Sequence, residues 1–317
     1  MAVIAIDLGG TKSSAALVSP NGTILIRQKM EITRKSGALV SEILQKQILK
    51  LIEMAHKSDQ QISAIGVSVP GIYYSQTGHV WAPNIPGWKD YPLQQELQDI
   101  APEIPVMIDS DRAAYILGET WQGAARGCTN AIFVAVGTGI GAGIMVDGKI
   151  LRGHEDIAGA TGWMALTPQF RAEYMRFGCF EYHASGDGLA RVTRDLIDET
   201  PDYYGLLRNP IPEHISSYDV FEAFSAGDKL AQQVINQAVK FWGMATANYI
   251  SLFNPEMIVF GGGIFGPAIQ FIPLIIEEAR RWAQPIAFNQ VQIVGSKIGS
   301  EAGLYGAAKI ALTVTQQ

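Results

Sequence analysis

The chain predicts an α/β protein of two domains that repeat one design. Three observations carry this. Short apolar runs rich in Val and Ile alternate with stretches of helical periodicity from end to end. A pattern of strand, glycine turn, strand, turn, strand occurs at residues 3–31 and again at 129–151. Finally, 317 residues at 48% hydrophobic and 17% charged give room for two domains and a large core.

In chain order, Val3 to Ile6 reads as a buried strand. Asp7 ends it, and Gly9-Gly10-Thr11-Lys12 follow. Glycines let a turn take positive φ and bring backbone N–H groups close to a ligand. Such a turn makes a concavity suited to phosphate, although a plain Gly-Gly hairpin uses the same residues. Thr11 adds a hydroxyl, Lys12 a charge, and Asp7 is placed to hold Mg²⁺ through water. Ser13 to Val18 is the return strand. The G-x-x-x-x-G-K-[ST] spacing of strand-to-helix phosphate loops is absent. Thr23 to Glu31 is a third strand after the Pro20-Asn21-Gly22 turn, and residues 37–57 carry apolar side chains at helical spacing.

Ile62 to Val69 is another buried strand, stopped by Pro70-Gly71. Ile72 to Trp88 reads as a long loop with Trp81, Asn84 and Trp88. Aromatic faces suit sugar rings, so this is a candidate binding loop; the alternative is that both tryptophans pack it down. Leu93 to Leu97 begins a short helix. Val106 to Ile108 is a strand with Asp109-Ser110-Asp111 at its end, before a helix from Arg112 to Trp121. Strand ends are where α/β proteins place ligand chemistry; Asp109 or Asp111 equally suits a helix cap.

The second half opens with a strand from Thr129 to Val136, leading into Gly137-Thr138-Gly139-Ile140-Gly141. Asp147-Gly148 is a type I′ turn signal before Lys149 to Leu151. Two phosphate-suited hairpins, one per half, point to a duplicated fold with a nucleotide between the halves. Residues 152–200 read as loop-rich, and the segment to about 217 has no assignment. Helices are expected at Tyr218–Ser225, at Lys229–Leu252 and at Ala268–Trp282, with strands at Met257–Phe260 and Val291–Val294. Gly261-Gly262-Gly263 makes a turn open enough for a flat adenine or ribose. Ala302 to Ala308 opens the last helix.

The totals exclude several classes. A net charge of -6 without a basic run argues against nucleic acid as a partner. Two cysteines, Cys128 and Cys179, make neither a disulfide framework nor a complete zinc set, which fits a reduced, cytoplasmic setting. No apolar stretch reaches the ~20 residues of a membrane span. The chain opens directly in a strand, so no signal peptide and no DNA-binding domain is expected before Val3.

Taken together, these residues resemble the ROK family, sugar kinases and sugar-responsive repressors of the actin/hexokinase/Hsp70-like superfamily. The matching motifs are D-L-G-G-T-K at 7–12, P-G at 70–71, N-I-P-G-W at 84–88, S-D-R-A-A-Y-I-L-G-E at 110–119 and G-T-G-I-G-A-G-I at 137–144. They continue with G-C-F-E at 178–181, A-S-G at 184–186, N-P-E-M-I-V-F-G-G-G at 254–263 and A-G-L-Y-G-A-A at 302–308. The resemblance implies two actin-like ATPase (ribonuclease H-like) domains with a cleft between them. The smaller would take residues 1–112 plus a C-terminal helix of about 303–317, and the larger 113–302. It implies Mg-ATP as donor, a small-molecule sugar as acceptor and a homodimer. Asp7, Gly9, Gly10, Thr11 and Lys12 match the first phosphate motif; Gly137, Thr138, Gly139 and Gly141 match the second; Gly261, Gly262 and Gly263 match the adenosine motif. Asp111 matches the general base. Asn84, Ser110 and Glu181 match sugar-contacting positions, with Ser110 standing where Asn is usual; Gly71 and Trp163 are further candidates for the substrate side.

Two departures matter. The usual E-x-G-H is Ala160-Thr161-Gly162-Trp163 here, and the usual C-x-C-G-x-x-G-C keeps only Cys179. Three of four zinc ligands are therefore missing, and one thiolate cannot make a four-coordinate site, so no zinc is expected. Phe170, Tyr174, Met175, Phe177 and Phe180 are expected to hold that loop by apolar packing. Loss of the Glu and His that meet the anomeric end implies a sugar modified there, or a glycoside, with Trp163 stacking on its ring. His154, Glu155 and Asp156 either supply a replacement polar contact or form a solvated turn; a structural role is expected for His183. The competing function is a non-catalytic sensor of sugar or nucleotide.

Overall fold

The computed structural model describes residues 1–33, 35–208 and 214–314. It divides into two compact units. The first comprises Met1–Gly127, Ile150–Ala158 and the chain from Lys297 on; the second comprises Cys128–Lys149 and Gly159–Ser296.

The first unit opens with β1 (Ala2–Leu8), β2 (Lys12–Val18), β3 (Ile24–Glu31), α1 (Gly37–Lys57) and β4 (Ile62–Val69). It continues with β5 (Ile72–Tyr74), β6 (His79–Trp81), α2 (Leu93–Ile100), β7 (Val106–Ser110) and α3 (Asp111–Gln122). Its sheet runs β3-β2-β1-β4-β7, with β4 and β7 parallel to β1 and the β1-β2-β3 meander antiparallel. The period of two in β1 sorts its side chains. Ile4 and Ile6 face a core with Val40, Leu44, Ile48 and Leu51 of α1, while Val3 and Ala5 face the opposite side. The segment expected as a long loop contains the β5–β6 hairpin, and Trp88 is a core residue stacked on Tyr91 at 4.9 Å. Trp81 is partly exposed.

The second unit repeats the strand order. It holds β8 (Ala131–Val136), β9 (Ile140–Val146), β10 (Lys149–Ile150), α4 (Tyr174–Phe177), α5 (Cys179–Ala184), α6 (Gly186–Glu199) and α7 (Ser217–Ser225). After these come α8 (Lys229–Phe253), β11 (Met257–Gly261), α9 (Ile272–Arg280), α10 (Pro285–Phe288) and β12 (Gln292–Gly295). Its sheet order is β10-β9-β8-β11-β12. Asp147 and Gly148 both have positive φ, as the turn signal requires.

Two helix expectations need correction. Residues 152–200 are not mainly loop, since α6 alone spans 14 residues. The helix expected over Ala268–Trp282 is a 3-10 turn, Pro267–Phe271, that becomes α9 only at Ile272, beside Pro273.

The chain returns to the first unit as α11 (Ala302–Val314). Leu304, Ala307, Ala308 and Ala311 cover Val3, Ala5, Ala16 and Ala64 on the second face of the sheet. The approach is very close. A Cβ at Gly66 would land on the Ala307 carbonyl, one at Gly306 on Ala114, and one at Gly118 on the Ala302 carbonyl. This packing also keeps α3 in the first unit, so the division falls after Gly127 rather than at 112. Among the described residues, no helix is long and apolar enough to cross a membrane. Gly306→Val is expected to lower stability by about 3 kcal/mol, because backbone cannot yield to a branched side chain there. A urea midpoint equal to that of the parent protein would contradict this close packing.

Candidate active site

In the first unit, Asp7 closes β1 and Asp111 opens α3, both at the C-terminal ends of parallel strands. Burial pushes the Asp7 carboxyl up to about 7; the Ser68 hydroxyl nearby, not at good hydrogen-bond geometry, opposes this, and the charges of Asp111 and Glu301 reinforce it. Burial likewise pushes Asp111 up to about 6, against the adjacent Arg112 guanidinium and the Arg112 N–H, which donates to Asp111 Oδ1 at 2.8 Å. Arg112 Nη1 donates to the Ala158 carbonyl at 3.2 Å and Nη2 to that of Gly71 at 3.4 Å. Next to them, Arg152 clasps the buried Asp109 with two bonds of 2.8 and 2.6 Å.

The Gly9–Lys12 turn is closed by the Gly9 N–H on the Lys12 carbonyl at 3.0 Å, leaving Gly10 and Thr11 at an exposed tip. Neither Gly9 nor Gly10 has positive φ, contrary to the conformational reason expected for them. What Gly10 leaves is space: a Cβ there would meet no described atom within 4 Å. Gly71 does need its glycine, at φ +97 against the Trp81 carbonyl. Asn84 is exposed on the turn after β6. Ser110 is buried, and its Oγ caps α3 by accepting from the Ala113 N–H at 3.3 Å.

In the second unit, the turn Gly137-Thr138-Gly139 is locked from two sides. The Gly186 and Asp187 N–H groups of α6 donate to the Gly137 and Thr138 carbonyls at 2.8 and 3.3 Å. Glu181 Oε2 accepts from the Ile140 N–H at 2.8 Å and sits where a Cβ on Gly139 would go. Burial raises the Glu181 carboxyl, and the Ile140 bond opposes that. Gly141 lies in β9, paired with Ala135. The three glycines after β11 do different work. Gly261 leaves room for the Phe133 ring and Gly262 adopts φ +90 against Val136, whereas Gly263 is open. Gly263, Gly137, Thr138 and Asp187 line a cavity of about 680 Å³ with Arg191 and Tyr218.

Trp163 is 56% exposed on a 3-10 turn, Thr161–Trp163. Cys179 is buried, and His183 is held by the Tyr174 hydroxyl at 2.6 Å and the Gln237 amide at 3.0 Å, stacked on Phe241. Burial brings its imidazole down to about 4, so it is a neutral structural group. Of the aromatic set expected to hold this loop, Tyr174 and Phe180 are buried and Phe177 is partly so, but Phe170 and Met175 are exposed. Asp156 is bound to Ser75 N–H and Oγ, both at 2.8 Å, while His154 and Glu155 are exposed. Sequence reasoning missed the Asp109–Arg152 clasp and the cavity wall from α6 and residues 214–218. The A-S-G at 184–186 that opens α6 was the available signal.

The family model of ROK proteins matches residues 3–314. The chain belongs to the ROK family. A glucokinase of Halalkalibacterium halodurans is 30% identical over 307 residues, covering 96% of this chain and 92% of that protein. A xylose repressor of Caldicellulosiruptor bescii is 29% identical, over 96% of this chain and 76% of the repressor. A solved ROK hexokinase from Thermus thermophilus superposes with a TM-score of 0.84 at 29% identity, covering 100% of both chains. A ROK family glucokinase from Streptomyces griseus, in complex with glucose and AMPPNP, gives 0.78 at 26% identity over 99% of this chain and 100% of that one.

If Asp111 is the base of this ROK chain, it works only when ionised. Its raised pKa then makes kcat/KM fall as pH drops through about 6. Asp111→Asn should remove that limb together with at least about 10²-fold of turnover. Retention of activity within a few-fold, or an unchanged acid limb, would exclude Asp111.

Proposed function

We propose that this ROK chain transfers the γ-phosphoryl group of Mg-ATP to a hydroxyl of a sugar-like acceptor that is modified or substituted at its anomeric end. A kinase of the family is what the matches over at least 92% of both chains support, among them two glucokinases and a hexokinase. The observation that carries the catalytic reading is Asp111, a carboxyl at a strand end whose basicity burial has raised into the working range. Phosphoryl transfer asks mainly for positioning and charge stabilisation. The acceptor oxygen bonds to the γ-phosphorus as the bond to the departing ADP oxygen breaks, and the hydroxyl proton passes to Asp111. The Gly10 tip and the turn at Gly137 leave backbone open to phosphate, and the cavity at Gly263 takes the nucleoside.

Asp7 suits a divalent cation. It is a hard oxygen donor whose ionised form is opposed by burial and by two neighbouring carboxylates, a situation a cation relieves. Bound there through water, magnesium would neutralise phosphate charge.

On the acceptor side, Ala160 and the exposed Trp163 stand where Glu and His are usual, offering a ring face instead of polar partners. Ser110 spends its hydroxyl on the α3 cap, which weakens its case as a sugar contact. Glu181 keeps one oxygen on Ile140 and has the other for ligand. The same exposed Trp163 and missing polar pair favour a second reading, a sensor that binds without turnover.

The deciding assay is ADP release with Mg-ATP across hexoses, N-acetylhexosamines, anhydro-sugars, glycosides and inositols. Turnover with substituted or anhydro sugars above free hexoses is the expected outcome. Turnover best with unmodified glucose would sink the acceptor proposal. Silence with binding still visible by thermal shift would favour the sensor. We also propose that the 172–183 segment holds no structural zinc, given the buried single thiol and the fully partnered His183. Metal analysis of the pure protein should find far less than one zinc per chain, and chelation should leave Tm unchanged.

A further inference from the structure

In the second unit, cations and aromatic rings alternate in a row. Arg176 lies 5.0 Å from the Phe177 ring centroid. Arg191 lies 3.8 Å from Phe177 on one side and 5.0 Å from Tyr182 on the other. Arg171 follows, 5.0 Å from Tyr182. The row is anchored by Asp195, which accepts from the Tyr182 hydroxyl at 2.6 Å and pairs with Arg171 at 3.5 Å.

Arg191 is the centre of this row. Its Nη1 is buried and meets no nitrogen or oxygen partner among the described residues, and its guanidinium carbon lies over two rings. A guanidinium over a ring is held more strongly the less water reaches it. The residue also lines the 680 Å³ cavity beside Gly137 and Gly263. One side chain thus touches the cavity and the 174–182 segment at once.

That segment has little order of its own. α4 has four residues and α5 six, too short to persist without tertiary support. Yet it fixes two acceptor-side groups. Glu181 reaches the Ile140 N–H from it. Gly178, at φ +77, packs so tightly on the 161–163 turn that a Cβ would lie 2.8 Å from Trp163 Cα.

We infer that Arg191 is a positioning residue through which a nucleotide in the cavity orders the 174–182 segment, and with it Glu181 and Trp163. Filling the cavity excludes water from the exposed edge of the guanidinium and restricts its motion. Both effects tighten its grip on Phe177 and Tyr182. No metal is needed for this ordering. The kinase proposal enters only in naming the ligand.

The test is hydrogen exchange of residues 174–182 with and without AMPPNP, in the parent protein, Arg191→Met and Arg191→Lys. AMPPNP should slow exchange there in the parent, not in R191M, and partly in R191K, which keeps the cation. In turnover assays R191M should raise acceptor KM roughly tenfold with kcat changed less. Should R191M fail to fold, Phe177→Leu keeps the apolar volume, removes the ring and should lose the same protection. Equal protection in the parent and in R191M or F177L overturns the inference. AMPPNP bound without protection in the parent also overturns it, and leaves the kinase proposal standing. Protection without phosphoryl transfer to any acceptor supports the inference and sinks the kinase proposal. No binding of AMPPNP defeats both.

Discussion

The first turn of α11 rests on the Asp7 carboxylate so closely that a Cβ at Gly303 would overlap it. Much of the first unit follows from that contact. It removes water from Asp7 and so raises its pKa. It also sets the positive end of a helix beside the carboxylate, a favourable field that partly offsets the lost hydration. The close approach is possible because the facing side chains are small: Ala5, Ala16 and Ala64 on the sheet, Ala307, Ala308 and Ala311 on the helix. With β1 fixed between α1 and α11, the Gly9–Lys12 turn has a rigid base, and its exposed tip costs the core nothing.

Small residues do three separate jobs here. At Gly66, Gly118 and Gly306 they let backbones touch. At Gly71 and Gly262 they permit positive φ. At Gly10, Gly137 and Gly263 they do neither, and a side chain would meet only open space. Glycines that no internal contact requires are the ones whose absent side chain leaves room for a ligand. This separates a binding turn from a packing turn more sharply than a count of glycines in a motif.

Strand and helix periodicity made most of the architecture legible. β1, β4, β8 and β11 are apolar runs ended by aspartate, proline or glycine, and α1 and α8 show clear periodicity, so local sequence and final burial agree. α6 was hidden because it opens Gly186-Asp187-Gly188 and buries Thr193 beside Leu189 and Val192. Its identity comes from docking on the Gly137 turn, a contact across about fifty residues of chain. The Asp109–Arg152 clasp spans 43 positions and leaves no local trace. For Trp88 the sequence allows either a ligand platform or loop packing, and its contacts with Tyr91 and with Gly37 of α1 decide for packing. The motifs themselves could be read in the sequence; the side chains that steady their turns could not.

The metal-binding pattern illustrates why. Read as a ligand count, Ala172 to Cys179 keeps one cysteine of the family's usual pattern. Read as packing, it has gained another kind of support. Tyr174 binds His183, Phe177 and Tyr182 bracket Arg191, and Gly178 fits against Gly162. A metal ties a loop through a few strong bonds that form together. A cation–ring row ties it through several weak ones that depend on excluding water. If the inference for Arg191 holds, support of the second kind strengthens when the neighbouring cavity fills, and such a loop would respond to ligand where a metal-clamped one would be fixed.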